Sequence, residues 1–247
     1  MGLHQSGGRF AYCRDVHSDR DQLRARARQL SSEALAAGDA TGWFERLYAE
    51  AEAGVSVVPW ADGLPNPHLV TWSDGVRGGL DGTGRLALVV GCGLGCDAEF
   101  LAGRGFGVTA FDVAPTAIAG ARRLYPGSAV RYVTADLLAL PAEWAGAFDL
   151  VVEAYTVQPL YGPARAAALA ALSGPVAPGG TLLVISLATE EEAPVRDPAM
   201  MPWPLTRAEL DLAGGALRAS RVSLFEAREN PRGPHWLAEF RRDWPGR

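Results

Sequence analysis

Four short stretches of this sequence hold the residue types that can do chemistry. The first is Val89-Val-Gly-Cys-Gly-Leu-Gly-Cys-Asp97, with glycines at 91, 93 and 95. Glycine at this density lets the chain turn sharply and lets a ligand lie directly on the main chain. Asp112, in Phe111-Asp-Val-Ala-Pro115, follows Gly91 by 21 residues. At that reach a carboxylate can accept both hydroxyl protons of a ribose. Asp136, in Thr134-Ala-Asp-Leu137, is suited to accept the exocyclic amine of adenine. Glu153 and Tyr155, in Asp149-Leu-Val-Val-Glu-Ala-Tyr155, add a carboxylate and an aromatic where a reaction would occur. Each motif alone has an ordinary structural use, since Asp at a strand end also caps the next helix. Three in register at successive strand ends outline an adenosine pocket.

Composition closes other routes. All 23 basic residues are Arg, so Schiff-base, pyridoxal-phosphate and Walker-lysine chemistry are excluded. Cys13, Cys92 and Cys96 are too few and wrongly spaced for a disulfide framework or a zinc set, and we expect no metal. The net charge of −5 argues against nucleic acid as a partner. No stretch reaches the roughly 18–20 apolar residues of a membrane span, and no secretory signal opens the chain. We therefore expect a cytoplasmic protein that is a monomer or weak homodimer, with a small-molecule acceptor.

The elements that must position these motifs follow from hydrophobic periodicity. Residues 1–18 show no period and read as a loose leader. The spacing of Leu23, Ala27, Leu30 and Ala34 predicts a helix over 19–37, and that of Trp43, Leu47 and Ala51 a second over 42–53. The passage 58–68 is too rich in Pro for a regular element. Together, 19–84 form a helical lid with a Pro-rich loop. From residue 85 short apolar runs alternate with helical stretches. Strands are predicted at 86–90, 107–111, 130–134, 148–152, 181–187, 218–227 and 235–241, the last two joined by a turn at 229–233. Helices are predicted at 97–102, from Pro115, at 163–172, and from Thr206, where Thr206-Arg-Ala-Glu209 has the capping-box form. Alternation of this kind requires an α/β, doubly wound, mostly parallel seven-stranded sheet with an antiparallel C-terminal hairpin. Ligands sit at the carboxyl ends of such strands.

Two adenosine cofactors compete for the pocket. The nicotinamide fingerprint needs G-x-G-x-x-G, whereas here the run is G-x-G-x-G with Cys96 at the third glycine's place. That favours S-adenosyl-L-methionine, whose tail carries no phosphate. Residues 86–187 resemble class I S-adenosylmethionine-dependent methyltransferases. The wider chain, 41–242, is similar to the thiopurine S-methyltransferase-like branch through Trp43-Phe-Glu-Arg-Leu-Tyr48, Pro59-Trp60, Asn66-Pro-His68, Val90-Gly-Cys-Gly-Leu-Gly-Cys-Asp-Ala-Glu-Phe-Leu101 and Val176-Ala-Pro-Gly-Gly-Thr181. The resemblance implies a Rossmann-like methyltransferase fold and S-adenosyl-L-homocysteine as product. It also implies Gly91, Cys92 and Gly93 at the methionine tail, Asp112 and Val113 at the ribose, and Ala135, Asp136 and Leu137 at the adenine. Trp43 would close over the cofactor, an arrangement a cation–π contact would reward, although its periodicity equally fits a core-facing residue. Ala154 stands where thiopurine enzymes generally carry an Arg, which argues against an anionic acceptor.

Methyl transfer asks the protein mainly to align acceptor and methyl and to exclude water. A thiol acceptor is the first expectation because thiols ionise readily near neutrality. An oxygen or nitrogen acceptor would want a base, for which Glu153 or His68 is available. Trp60 and Tyr155 are candidates for the acceptor wall, or for packing under the lid. A non-catalytic adenosyl-ligand binder is the reading from another class.

Overall fold

The computed structural model describes residues 20–192, 194, 196–197, 200–226 and 233–245, with the backbone alone for 20–23. The expected leader 1–18, with Cys13, and most of the turn at 229–233 lie outside the described residues. Seven strands run β1 (Leu86–Val90), β2 (Gly107–Asp112), β3 (Arg131–Thr134), β4 (Phe148–Ala154), β5 (Val176–Leu187), β6 (Arg218–Glu226) and β7 (Pro234–Arg241). They form one sheet in the order β3-β2-β1-β4-β5-β7-β6. The pairs among β1–β5 are parallel, whereas β7 pairs antiparallel with both β5 and β6. This is the Rossmann-like methyltransferase fold that the sequence led us to expect.

The continuous apolar run of β1 is explained by burial on both faces. Leu88 and Val90 join a core with Leu169, Leu172 and Leu210, while Ala87 and Val89 join another with Leu101, Ile118 and Ala121. The helices that cover these faces are α4 (Cys96–Gly103), α5 (Pro115–Leu124), α6 (Gly162–Ala171) and α7 (Arg207–Gly214). Pro115 sits in the first turn of α5, where its missing N–H costs nothing. The capping box of α7 is present: Thr206 Oγ1 accepts from the Glu209 amide at 3.1 Å, and Glu209 Oε2 accepts from the Thr206 amide at 3.0 Å.

Ahead of the sheet lie α1 (Arg20–Ala36), α2 (Gly42–Glu52) and α3 (Pro67–Gly75). The third corrects the sequence reading, which took the chain through His68 as irregular. Asn66 caps α3 by accepting the His68 amide at 2.9 Å, and Pro67 opens its first turn. A proline before a helix and another in its first turn are no obstacle to it. A second difference is β5, which begins at Val176 rather than at 181. Pro178-Gly-Gly180 reads as a turn, but the strand crosses it with a shift of register between Phe148 and Leu150 on β4.

A buried arginine ties the carboxyl side of the sheet together. Arg165 on α6, with 3% of its side chain exposed, pairs with Glu209 at 2.6 Å. It also donates to the carbonyls of Gln158 at 2.9 Å and Pro204 at 3.0 Å. One guanidinium thus fixes the loop after β4 and the segment before α7. Removing the guanidinium would leave Glu209 to Arg196 and the Thr206 amide and would take a donor from the Gln158 and Pro204 carbonyls. Arg165→Leu is expected to lower stability by about 1–3 kcal/mol, measured by urea unfolding. A midpoint shift equivalent to under about 0.5 kcal/mol would show that the guanidinium ties nothing together.

Candidate functional site

At the carboxyl end of β1 the chain turns through Gly91, Gly93 and Gly95 at φ 59°, 53° and 93°. Glycine is needed here for space as well as for conformation. A Cβ on Gly91 would lie 2.2 Å from Thr156 Cγ2, and one on Gly93 would lie 2.9 Å from the Tyr48 hydroxyl. The glycine turn is therefore wedged between the loop after β4 and helix α2.

Asp112, the last residue of β2, clamps this turn. Its Oδ2 accepts from the Gly93 amide at 2.9 Å and its Oδ1 from the Ala114 amide at 2.9 Å. A carboxylate has about four acceptor sites, so capacity for a ligand remains. Burial pushes its pKa up to about 6, against which the backbone amides act. Asp136 accepts the Leu138 amide at 2.9 Å and caps a single 3-10 turn, Leu137–Ala139. The structural use allowed for Asp136 is thus realised at one of its oxygens. Burial also raises the pKa values of the Cys92 and Cys96 thiols, which makes them poor nucleophiles at neutral pH.

One cavity of about 1700 Å³ runs across these strand ends. Typical single-ligand pockets hold about 300–1,000 Å³, so this one has room for a nucleoside and a second molecule. Its first end is lined by Gly91, Cys92, Gly93, Asp112, Val113, Ala135, Asp136 and Leu137, all of them residues singled out from sequence. Its other end carries Tyr155, His68, Phe225, Leu187 and Met201. Trp60, 44% exposed, lines the rim and donates its indole N–H to the Tyr48 hydroxyl at 3.0 Å. Ala154 also lines the cavity and brings no charge there. Among the described residues, no group of three His, Cys, Asp or Glu is placed to hold a metal ion.

Two expected site residues are not on the cavity. Trp43 is 1% exposed and packs in the core between α1 and α2 with Leu30 and Trp203. Its neighbour Phe44, stacked on it at 3.9 Å between ring centroids, reaches the cavity instead, as does Tyr48 one turn on. Glu153 is fully buried and faces away from the cleft. Its Oε1 accepts from the Thr156 and Val157 amides at 2.7 and 3.1 Å, while Oε2 has no hydrogen-bond partner. It holds the loop after β4 in shape. Sequence reasoning missed Phe44, Tyr48, Thr156 and Gln158; the i, i+4 spacing of Phe44 and Tyr48 was the available signal.

Residues 87–180 match the methyltransferase domain family. The ubiquinone biosynthesis O-methyltransferase of Pseudomonas paraeruginosa strain PA7 is 36% identical over 126 residues, which is 49% of this chain and 51% of that protein. The chain thus spans about half the length of the curated relatives it matches. A protein solved in a study of the conversion of a disulfide bond into a thioacetal group during echinomycin biosynthesis superposes with a TM-score of 0.64 at 26% identity. That match covers 83% of this chain and 92% of the other. The Burkholderia thailandensis 1,6-didemethyltoxoflavin-N1-methyltransferase, solved with S-adenosylhomocysteine bound, shares the fold at 17% identity with a TM-score of 0.57 over 97% and 98% of the two chains.

Glu153 supplies a test of the geometry through pH. Burial raises its pKa from 4.5 to about 7, so the folded state holds the proton more tightly than the unfolded chain does. Its contribution is favourable below about pH 4.5 and is lost as pH rises through about 7. Glu153→Gln should match the wild type near pH 4. By about pH 8 it should be more stable by on the order of 3 kcal/mol, since each pKa unit is worth about 1.4 kcal/mol. Urea unfolding across that range would expose the error if the two curves stayed parallel.

Proposed function

We propose that this chain transfers the methyl group of S-adenosylmethionine to a small molecule held at the aromatic end of the cleft. The observation that carries the proposal is the single cavity of about 1700 Å³ that joins a glycine turn and two strand-end carboxylates to an aromatic wall. The residues present suit the cofactor. The main chain is bare where a Cβ on Gly93 would stand, and Asp112 is held by two amides with lone pairs to spare. When bound, S-adenosylmethionine supplies an electrophilic methyl group on a positively charged sulfur.

In this reading Gly91, Cys92 and Gly93 accommodate the amino-acid tail. Asp112, beside Val113, accepts the ribose hydroxyls, while Asp136, with Ala135 and Leu137, meets the adenine. Phe44 and Tyr48 take the covering role first given to Trp43. Trp60 hydrogen-bonds Tyr48 at the rim, which helps keep water out of the reaction space. Tyr155 and Trp60 belong to the acceptor wall. Glu153 has no direct part, because its carboxylate is turned to the loop backbone.

Two acceptor atoms have support. The thiol first expected from sequence agrees with the sulfur chemistry named for the protein of the echinomycin study, which aligns over most of this chain. An oxygen acceptor agrees with the names of the curated relatives and with a histidine on the acceptor wall. A protein that bound the nucleoside without transferring methyl would instead be a silent adenosyl-ligand binder.

Calorimetric titration with S-adenosylhomocysteine should show saturable binding. Asp112→Ala should weaken it by about 1.5–3 kcal/mol, the scale of charged hydrogen bonds lost. Labelled methyl from S-adenosylmethionine should reach at least one member of a panel of thiols, phenols and amines. Binding of reduced nicotinamide cofactors in its place would overturn the assignment.

A further inference from the structure

We propose that Gln158 selects the methyl acceptor: its side-chain amide nitrogen donates to a carbonyl oxygen of a neutral molecule held at the far end of the cleft. This rests on the methyltransferase reading above, which makes the ligand at that end the acceptor. Gln158 lies in the loop after β4 and lines the cavity, although it is only 3% exposed. Its Oε1 accepts from the amide of Leu187, the last residue of β5, at 3.1 Å. A backbone amide can only donate, so this contact fixes which way the carboxamide is turned. The flipped group would set N–H against N–H. Among the described residues none accepts from Nε2. That nitrogen is not sealed in the interior either, so it opens on the cavity that Gln158 lines.

Gln158 also has a structural use, but that use leaves the donors unspent. Its backbone carbonyl accepts from the Trp203 amide at 3.1 Å and from Arg165 Nη1 at 2.9 Å, while its Oε1 ties the loop to β5. All three contacts are made by oxygens. They hold the residue from behind and leave its N–H groups in a fixed place. A buried donor left without a partner costs more than an ordinary hydrogen bond gains. A ligand that covers this end without an acceptor oxygen strands those donors. A site of this kind rejects an analogue lacking the partner group far more strongly than an apolar pocket rejects an extra methyl.

The surroundings decide the charge of the partner. Beside Gln158 the cavity is lined by Pro159, Leu160, Leu187, Met201 and Pro202, none of them charged. The cation that touches Gln158, Arg165, does not line the cavity and is committed to Glu209 and to three backbone carbonyls. Glu226, which does line it, is a carboxylate. An anionic ligand would lose its water here without gaining a counter-charge. A neutral carbonyl, with lone pairs and no proton of its own, suits a side chain that offers donors alone. The opposite wall is set with rings. His68 lies 4.8 Å from Phe225 between centroids, and buried His235 lies 5.6 Å from Phe225 and 5.9 Å from Tyr155. A flat probe therefore fits the test.

The test compares two probes of one shape, 2-acetonaphthone and 2-isopropenylnaphthalene, which differ only in C=O against C=CH₂. Both are titrated into the full chain with and without saturating S-adenosylhomocysteine. The wild type should bind the ketone about 5–150-fold more tightly than the hydrocarbon, the range expected for a stranded donor. It should bind 2-naphthoate more weakly than the ketone. In Gln158→Met the ketone should fall to within roughly twofold of the hydrocarbon, while the hydrocarbon keeps its wild-type affinity. A residue that merely held the loop would weaken both probes alike, and that result overturns the proposal. Equal binding of the two by the wild type, a preference that survives Gln158→Met, binding of neither, or tighter binding of 2-naphthoate overturns it too. A check that needs no variant is the carbonyl resonance of carbon-13-labelled 2-acetonaphthone. Bound to the wild type it should lie downfield of its position in hexane, and a resonance at the hexane position also overturns the proposal. Absent binding of S-adenosylhomocysteine by the wild type overturns the methyltransferase reading, while the probe comparison still decides the part of Gln158.

Discussion

The hydrogen bond from the Gly93 amide to the Asp112 carboxylate, at 2.9 Å, couples two neighbouring strand ends and sets the geometry of everything around them. The parallel pairing of β1 with β2 places Val90 beside Phe111, so the turn after one strand and the last residue of the other must meet. The Cys92 amide reinforces the junction by donating to the Phe111 carbonyl at 2.8 Å. A buried carboxylate is costly, and here its cost is reduced by amides aimed at both oxygens. The same amides orient the group, so the element that rigidifies the turn is the one left facing the cavity.

Helix α2 is seated on that junction. Its Glu45 accepts the Thr116 amide at 3.0 Å and so caps α5, whose own N-cap position is Ala114, a residue with no capping side chain. A negative side chain at a helix start is favourable through the unpaired amides and the helix dipole. Arg123 near the end of α5 reaches Glu52 at 2.6 Å, and Arg26 on α1 pairs with Glu50. The cover is thereby registered to the sheet at both ends of α5, which brings Tyr48 down onto Gly93. What the sequence shows as a separate helical prelude is mechanically part of the floor of the cavity.

The strands and their carboxyl ends were legible because apolar runs bounded by glycine and aspartate have few other uses. Side-chain direction was less legible. Periodicity placed Trp43, Leu47 and Ala51 on one helix face, and all three are buried, but that face is the core and the cavity belongs to Phe44 and Tyr48. For Glu153, position along β4 was readable and facing was not. It pairs with Val90 and Val184, and shares the parity of Val151, which lies in the core against α6. A strand end says that a residue is near the ligand level; only the pleat says whether it looks at the ligand. Helix α3 was lost because Pro65 and Pro67 were weighed as breakers, although Pro in a first turn is a starting signal.

The two ends of the cavity are built by different rules. On the proposed reading the cofactor end is local: Gly91–Gly93, Asp112, Val113 and Ala135–Leu137 lie at or just beyond the ends of parallel strands, and all fall inside 87–180, the span that matches the methyltransferase domain family. The ring cluster of the other end is assembled from α3, the loop after β4 and the antiparallel β6 and β7, so that apart from Tyr155 it lies outside that span. Nucleoside recognition can then stay constant while the acceptor wall changes. This accounts for a curated relative named for oxygen methylation and a structural neighbour named for sulfur chemistry aligning with one chain. Similarity carried by the cofactor end bears little on the acceptor.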